Sequence, residues 1–167
     1  WWTNTQGRMY KAKQTAKYRP FVVAIAITVV ALTADARANP FTFTPLGVLP
    51  GGLHQSHAYG VSRDGSVVVG RSRTATGDEA FRWTSDAGMV GLGDLPGGDV
   101  YGEARGVSAD GSVVVGFNNG ASDFEAFRWT SAGGMVGLGD LIGFAQHSYA
   151  YAVSDDGSVV VGQGYGA

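Results

Sequence analysis

Four aspartates, Asp94, Asp110, Asp140 and Asp156, recur at matching places along the chain. Carboxylate oxygens on glycine-rich turns are the ligands calcium prefers. Each stands almost alone, apart from Asp155 beside Asp156, and no Asp-x-Asp-x-Asp-Gly loop is present. Asp110 and its equivalents are therefore expected to close a turn through their own backbone, as aspartate often does, and no metal site is assigned. "GLGDLPG", with glycines at 91, 93 and 97, superficially matches a dinucleotide loop. That loop needs GxGxxG between a strand and a helix; Pro96 takes the third glycine's place and no helical pattern follows, so no cofactor is expected.

Nucleophilic catalysis has little material to work with. His54, His57 and His147 are the only histidines and there is no cysteine. Two carboxylates at a defined separation could hydrolyse a glycoside, and Glu79, Glu103 and Glu125 are available. Glu79 and Glu125, however, precede the same "FRWT" stretch, with Arg82 and Arg128 also matching, so a Glu to Arg contact within the frame is the plainer reading. No catalytic residue is assigned, and the protein is read as non-enzymatic.

The elements that position these residues follow from a repeat. "DGSVVVG" occurs at 64–70, 110–116 and 156–162, so Asp64, Asp110 and Asp156 stand 46 residues apart. "FRWT" at 81–84 returns at 127–130, "MVGLGDL" at 89–95 returns at 135–141, and "LPGG" at 49–52 returns at 95–98. A fixed period of this size marks a solenoid, a propeller or an array. The units span about 43–88, 89–134 and 135–167, the last incomplete, short of the 4 to 8 blades that close a propeller.

One unit reads as four strands, about 104–108, 112–117, 125–130 and 135–141. Asp110-Gly111 predicts a two-residue hairpin turn with positive φ, setting Val107 opposite Val114. Val113 and Val115 then face the other way, so the second strand is apolar on both sides and buried on both. In the third strand Phe127 and Trp129 share a face that fills the space between neighbouring sheets. Glycine, with 26 of 27 copies after residue 38, disfavours helix. The expected fold is all-β, with tandem four-stranded repeats like β-propeller blades; a β-solenoid array is the alternative.

Charge divides the chain. Of twelve basic residues, six precede Asn39 against the single acid Asp35. From Asn39 onward six arginines face thirteen carboxylates, a formal charge of −7 that argues against nucleic acid. The early basic cluster leads into "FVVAIAITVVAL" at 21–32 and then "ADARA", the order of a signal peptide. Twelve uncharged and mostly apolar residues fall short of the roughly 20 that span a bilayer as a helix, so membrane contact is expected to be transient. A signal peptide at 9–38, helical within that span, is expected, cleaved between Ala38 and Asn39, with residues 1–8 as a non-native or untranslated leader.

"GMVGLGDLPGG", "ARGVSADGSVVVG" and "EAFRWTSAGGMVGLGDL", in this order and register, resemble the HAF-family extracellular repeats of bacterial secreted and surface proteins. The resemblance covers about 43–162. It implies export, to the medium, the periplasm or the cell surface, often within an autotransporter-like passenger, and it implies no known reaction.

Where the units differ, function is expected. The segments "LHQSHAY", "DVYGEAR" and "AQHSYAY" precede the hairpin, and "RSRTATGD" and "FNNGASDF" follow it. As variable connections on a fixed frame they supply His54, His57, Tyr101, Asn118 and Tyr149 as ligand-binding loop candidates, with changes at 99–103 expected to spare the fold. The partner is expected to be an extracellular glycan or protein. A propeller-type glycan hydrolase or lyase fragment, and a structural spacer, are the alternative functions.

Overall fold

A computed structural model describes residues 2–3, 9–10, 43–121, 123–140 and 147–165. The chain divides into two units, 1–44 and 45–167. In the first, β1 (Trp2–Thr3) pairs antiparallel with β2 (Met9–Tyr10). The expected signal-peptide core and the cleavage point between Ala38 and Asn39 lie outside the described residues.

The second unit is all-β. β3 (Ser56–Val61), β4 (Val67–Arg73), β5 (Asp78–Thr84) and β6 (Gly88–Gly91) form an antiparallel meander. β7 (Gly97–Val107), β8 (Val113–Gly120), β9 (Phe124–Thr130) and β10 (Gly134–Gly137) form a second. One parallel bridge, Asp78 to Tyr101, joins them into a mixed eight-stranded sheet. β11 (Ser148–Val153) and β12 (Val160–Gly164) make a separate antiparallel pair. No sheet closes on itself among the described residues.

The valine triplet explains the packing. Val107 lies opposite Val114, and Val113, Val114 and Val115 are all buried. Successive strand residues face opposite ways, so β8 feeds two cores. Val114 joins Val67, Val69, Ala80, Ala104 and Phe127 in one cluster; Val113 and Val115 join Ala126 and Ala150 in another. The second cluster reproduces part of the first at positions 46 residues further on, Val67 and Val69 becoming Val113 and Val115, and Ala104 becoming Ala150. Each fully buried valine or phenylalanine contributes roughly 1.5–3 kcal/mol.

The hairpin departs from the expected two-residue turn. Gly111 N–H donates to Ser108 O at 3.0 Å and Ser108 N–H to Val113 O at 2.9 Å, so residues 109–112 form the connection. Gly111 has φ +72°, whereas among the described residues His54 alone is a non-glycine with positive φ, which places Asp110 on the ordinary side. The aspartate works through its side chain instead. Its Oδ1 accepts from Ser108 Oγ at 2.6 Å, Ser112 Oγ at 2.8 Å and Ser112 N–H at 3.0 Å, while Ser108 Oγ accepts from Val113 N–H at 3.0 Å. Asp64 and Asp156 each close their own turn through the same contacts.

"GLGDL" likewise has a local cause. Glu79 Oε1 accepts from Gly93 N–H at 3.3 Å and Glu125 Oε1 from Gly139 N–H at 2.9 Å. Each carboxylate crosses a glycine, Gly91 or Gly137, where a Cβ would overlap it. The expected Glu to Arg contact is replaced by this strap, because the glycine-rich connection offers unpaired N–H groups that a carboxylate satisfies. Arg82 turns elsewhere, its Nε donating to Gly111 O at 3.2 Å.

Candidate charged and aromatic ridge

The first strands carry a shared irregularity. The pairing of β3 with β4 shifts between Ala58 and Gly60, that of β7 with β8 between Ala104 and Gly106, and that of β11 with β12 between Ala150 and Ala152. The extra residues are Tyr59, Arg105 and Tyr151. A bulge leaves its residue out of the ladder and re-aims the side chain. Gly60 and Gly106 follow directly, and both stand close to the next first strand: a Cβ at Gly60 would lie 3.2 Å from Arg105 O, and one at Gly106 would lie 3.2 Å from Tyr151 O. The bulged side chains therefore come together on one ridge.

The Arg105 guanidinium lies 4.4 Å from the centre of the Tyr59 ring and 5.6 Å from that of Phe117, within cation–π range. It also pairs with Glu103 Oε2. Arg71 Nη1 reaches Asp78 Oδ2 at 2.7 Å and Glu103 Oε1 at 3.3 Å, and Arg73 reaches Asp78 Oδ1 at 3.2 Å. Tyr101 Oη donates to Glu103 Oε1 at 3.0 Å. Burial, then the adjacent Glu103 carboxylate, holds the Tyr101 hydroxyl above its ordinary range, so it remains a donor. Three arginines face two carboxylates, giving a locally positive site on a strongly acidic body. Arg71 Nε and Arg105 Nε are buried without a hydrogen-bond partner among the described residues. Gln55, His57, Arg71, Arg73 and Asp78 line a hollow of about 200 Å³.

The aromatic half continues along β8, β9 and β11. Tyr101 packs edge-on to Phe124 at 5.4 Å, and Phe117 edge-on to Tyr149 at 4.9 Å. Tyr149 stacks with Tyr151 at 6.4 Å, as His57 does with Tyr59 at 6.3 Å. Tyr59 and Tyr151 keep 37% and 45% of their surface exposed, enough to offer a ring to a partner.

Of the five loop candidates, only His54 lies in a connection, exposed and with φ +36°. His57 is on β3, Tyr101 on β7, Asn118 on β8 and Tyr149 on β11, because the first strands run further back from the hairpin than expected. His57, Tyr101 and Tyr149 join the ridge. Asn118 does not: it is fully buried, accepting from Leu95 N–H at 2.8 Å and donating to Asp94 at 2.9 Å. Its equivalent Ser72 does the first of these for Leu49 N–H at 3.0 Å. Residues 99–103 are not a free loop either, since Glu103 is buried among its ion pairs.

Sequence reasoning did not single out Tyr59, Arg71, Arg73, Asp78 and Arg105. The signal for them was present as departures from the period: Arg105 stands where the neighbouring units have Tyr59 and Tyr151, Glu103 where they have His57 and Tyr149, and Arg71 where the next has Phe117. Compared with known protein families, curated proteins and solved structures, the chain matches none.

Proposed function

We propose that the protein is an exported, non-enzymatic recognition scaffold of HAF-like, propeller-type repeats, which displays the ridge to an extracellular partner. The observation that carries this is the sorting of residues by role. Positions that recur build turns, straps and cores, whereas positions that depart from the period converge on Tyr59, Arg71, Arg73, Asp78, Tyr101, Glu103 and Arg105. Export rests on the order of basic, apolar and small residues before Asn39.

The chemistry of the ridge suits an acidic glycan. The exposed His57 and Tyr59 side chains, the latter with Arg105 over one ring face, offer a platform for a sugar, and Arg73, about half exposed beside Asp78, offers a guanidinium to a carboxylate. A glycan array probed with the full chain and with Arg73→Gln tests this. Binding of uronate-bearing sugars, weakened at least tenfold by Arg73→Gln with unchanged thermal unfolding, is expected, about 1.4 kcal/mol for one charge-assisted contact. Binding of neutral sugars alone removes the acidic ligand, silence on the array leaves the spacer reading, and turnover of a bound sugar overturns the non-enzymatic assignment.

A further inference from the structure

Two internal junctions use the same positions of the period and fill them differently. Where β8 and β9 meet β11, Phe117 packs on Tyr149 at 4.9 Å and on Phe124 at 5.7 Å, and Tyr101 closes on Phe124 at 5.4 Å. Where β4 and β5 meet β7, the residues 46 positions earlier take those places: Arg71 for Phe117, Asp78 for Phe124, Glu103 for Tyr149 and Gln55 for Tyr101. The contacts carry over with changed chemistry. Arg71 Nη1 meets Asp78 Oδ2 at 2.7 Å and Glu103 Oε1 at 3.3 Å, as Phe117 meets Phe124 and Tyr149. At Gln55 the exchange leaves space, because a short amide stands where a phenol ring closes the other junction. The hollow of about 200 Å³ lies there, lined by Gln55, His57, Arg71, Arg73 and Asp78.

Charge and depth define what fits. Asp78 accepts from both Arg71 and Arg73, and Glu103 pairs with Arg71 and Arg105, so three guanidiniums share two carboxylates and one positive charge is left over. The Arg71 side chain, held by both carboxylates, is 25% exposed, whereas that of Arg73, two residues further out on β4, is 48% exposed. The hollow is therefore open beside Arg73 and stopped at Arg71. Its volume falls below the roughly 300 Å³ at which pockets for drug-sized ligands begin, which suits one sugar ring rather than several.

We infer, on the acidic-glycan reading above, that the hollow takes a single uronate ring at the end of a glycan chain, in the place that Tyr101 fills in the other junction. The Arg73 guanidinium receives its carboxylate, a charge-assisted contact at the open side. A ring in the middle of a chain needs an exit on both sides, and Arg71 with its two carboxylates blocks one of them.

Calorimetric titration of the full chain with glucuronic acid, with a uronate trimer and with that trimer capped at both ends by neutral hexose tests this. Glucuronic acid and the trimer should bind within about threefold of each other, and capping should weaken the trimer at least tenfold. Gln55→Tyr, which restores the ring of the other junction at an exposed position, should weaken glucuronic acid at least tenfold with the circular dichroism and unfolding midpoint of the parent. The capped trimer decides on the parent chain alone, whatever the variant does to folding. A capped trimer that binds as the free one does, or a folded Gln55→Tyr chain that binds as the parent does, overturns the chain-end site and leaves the ridge reading standing. No binding of any of the three uronate probes overturns both.

Discussion

Three glycines share one backbone conformation and differ only in what lies beside them, which allows strain and packing to be separated. Gly65, Gly111 and Gly157 have φ values of +75°, +72° and +73°. An alanine at any of them incurs the left-handed penalty of about 1–2 kcal/mol, partly offset by about 0.4–1 kcal/mol from a stiffer unfolded chain. That leaves about 1 kcal/mol for Gly65→Ala, which meets open space. At Gly111 the new methyl would overlap Val67 Cγ2 and lie 2.9 Å from Val67 Cβ, and Val67 is held in a close-packed cluster. Overpacking of this kind adds about 1–3 kcal/mol, so Gly111→Ala should lose about 3 kcal/mol in total. Gly157→Ala, at 2.6 Å from Val113 Cγ2, should fall between them, near about 2 kcal/mol. Urea unfolding of the three variants measures the differences directly. If Gly65→Ala and Gly111→Ala agree within about 0.5 kcal/mol, the turn does not rest on the preceding unit and the packing scheme is wrong.

The turn aspartates make stability acid-sensitive. Hydrogen bonds from Ser66 and Ser62 hold the Asp64 carboxyl at about 2 rather than 3.8, and those from Ser108 and Ser112 at Asp110, and Ser154 and Ser158 at Asp156, do the same. The folded form therefore binds fewer protons than the unfolded one between these values; the contribution is complete above the unfolded value and is lost as pH falls through about 2. Unfolding midpoints followed into acid should show this fall, and Asp110→Asn should make it shallower; equal slopes would contradict the assignment. Asn118→Ala leaves the buried Leu95 N–H without an acceptor and should lose about 1–3 kcal/mol, whereas Asn118→Ser, copying Ser72, should recover part of it in the same denaturation assay. Glu103→Gln removes the charge between Arg71 and Arg105, and because both arginines are partly exposed the loss should be about 2 kcal/mol rather than the full buried-pair value, read from urea unfolding.

Much of the frame was legible because it follows from period-two strands and one repeated phrase. "SVVVG" stated a strand buried on both faces, and the opposition of Val107 and Val114 followed from centring the turn on Asp110-Gly111, which holds for the four-residue connection as it would for a two-residue one. Asp-Gly suggests a tight primed turn, but a serine on either side gave the aspartate three donors at an ordinary backbone angle, and that local network prevailed. The ridge was hidden for another reason. Its two groups, Arg71, Arg73 and Asp78 on β4 and β5 and Tyr101, Glu103 and Arg105 on β7, meet only when the meanders come together, so that meeting has no expression along the chain. Asn118 was misread because its segment looked irregular, while β8 runs to Gly120 and carries it into the interior.

The bulge at Tyr59, Arg105 and Tyr151 bears on how such a protein changes over time. A residue outside the ladder contributes no cross-strand pairing, so its side chain can be exchanged while the neighbouring pairs keep their register. Tyr at two of these positions and Arg at the third show that the site accepts side chains of unlike shape and charge. Under the recognition role proposed above, specificity can drift independently of foldability, and a further unit of the same kind would supply another such position ready to diverge.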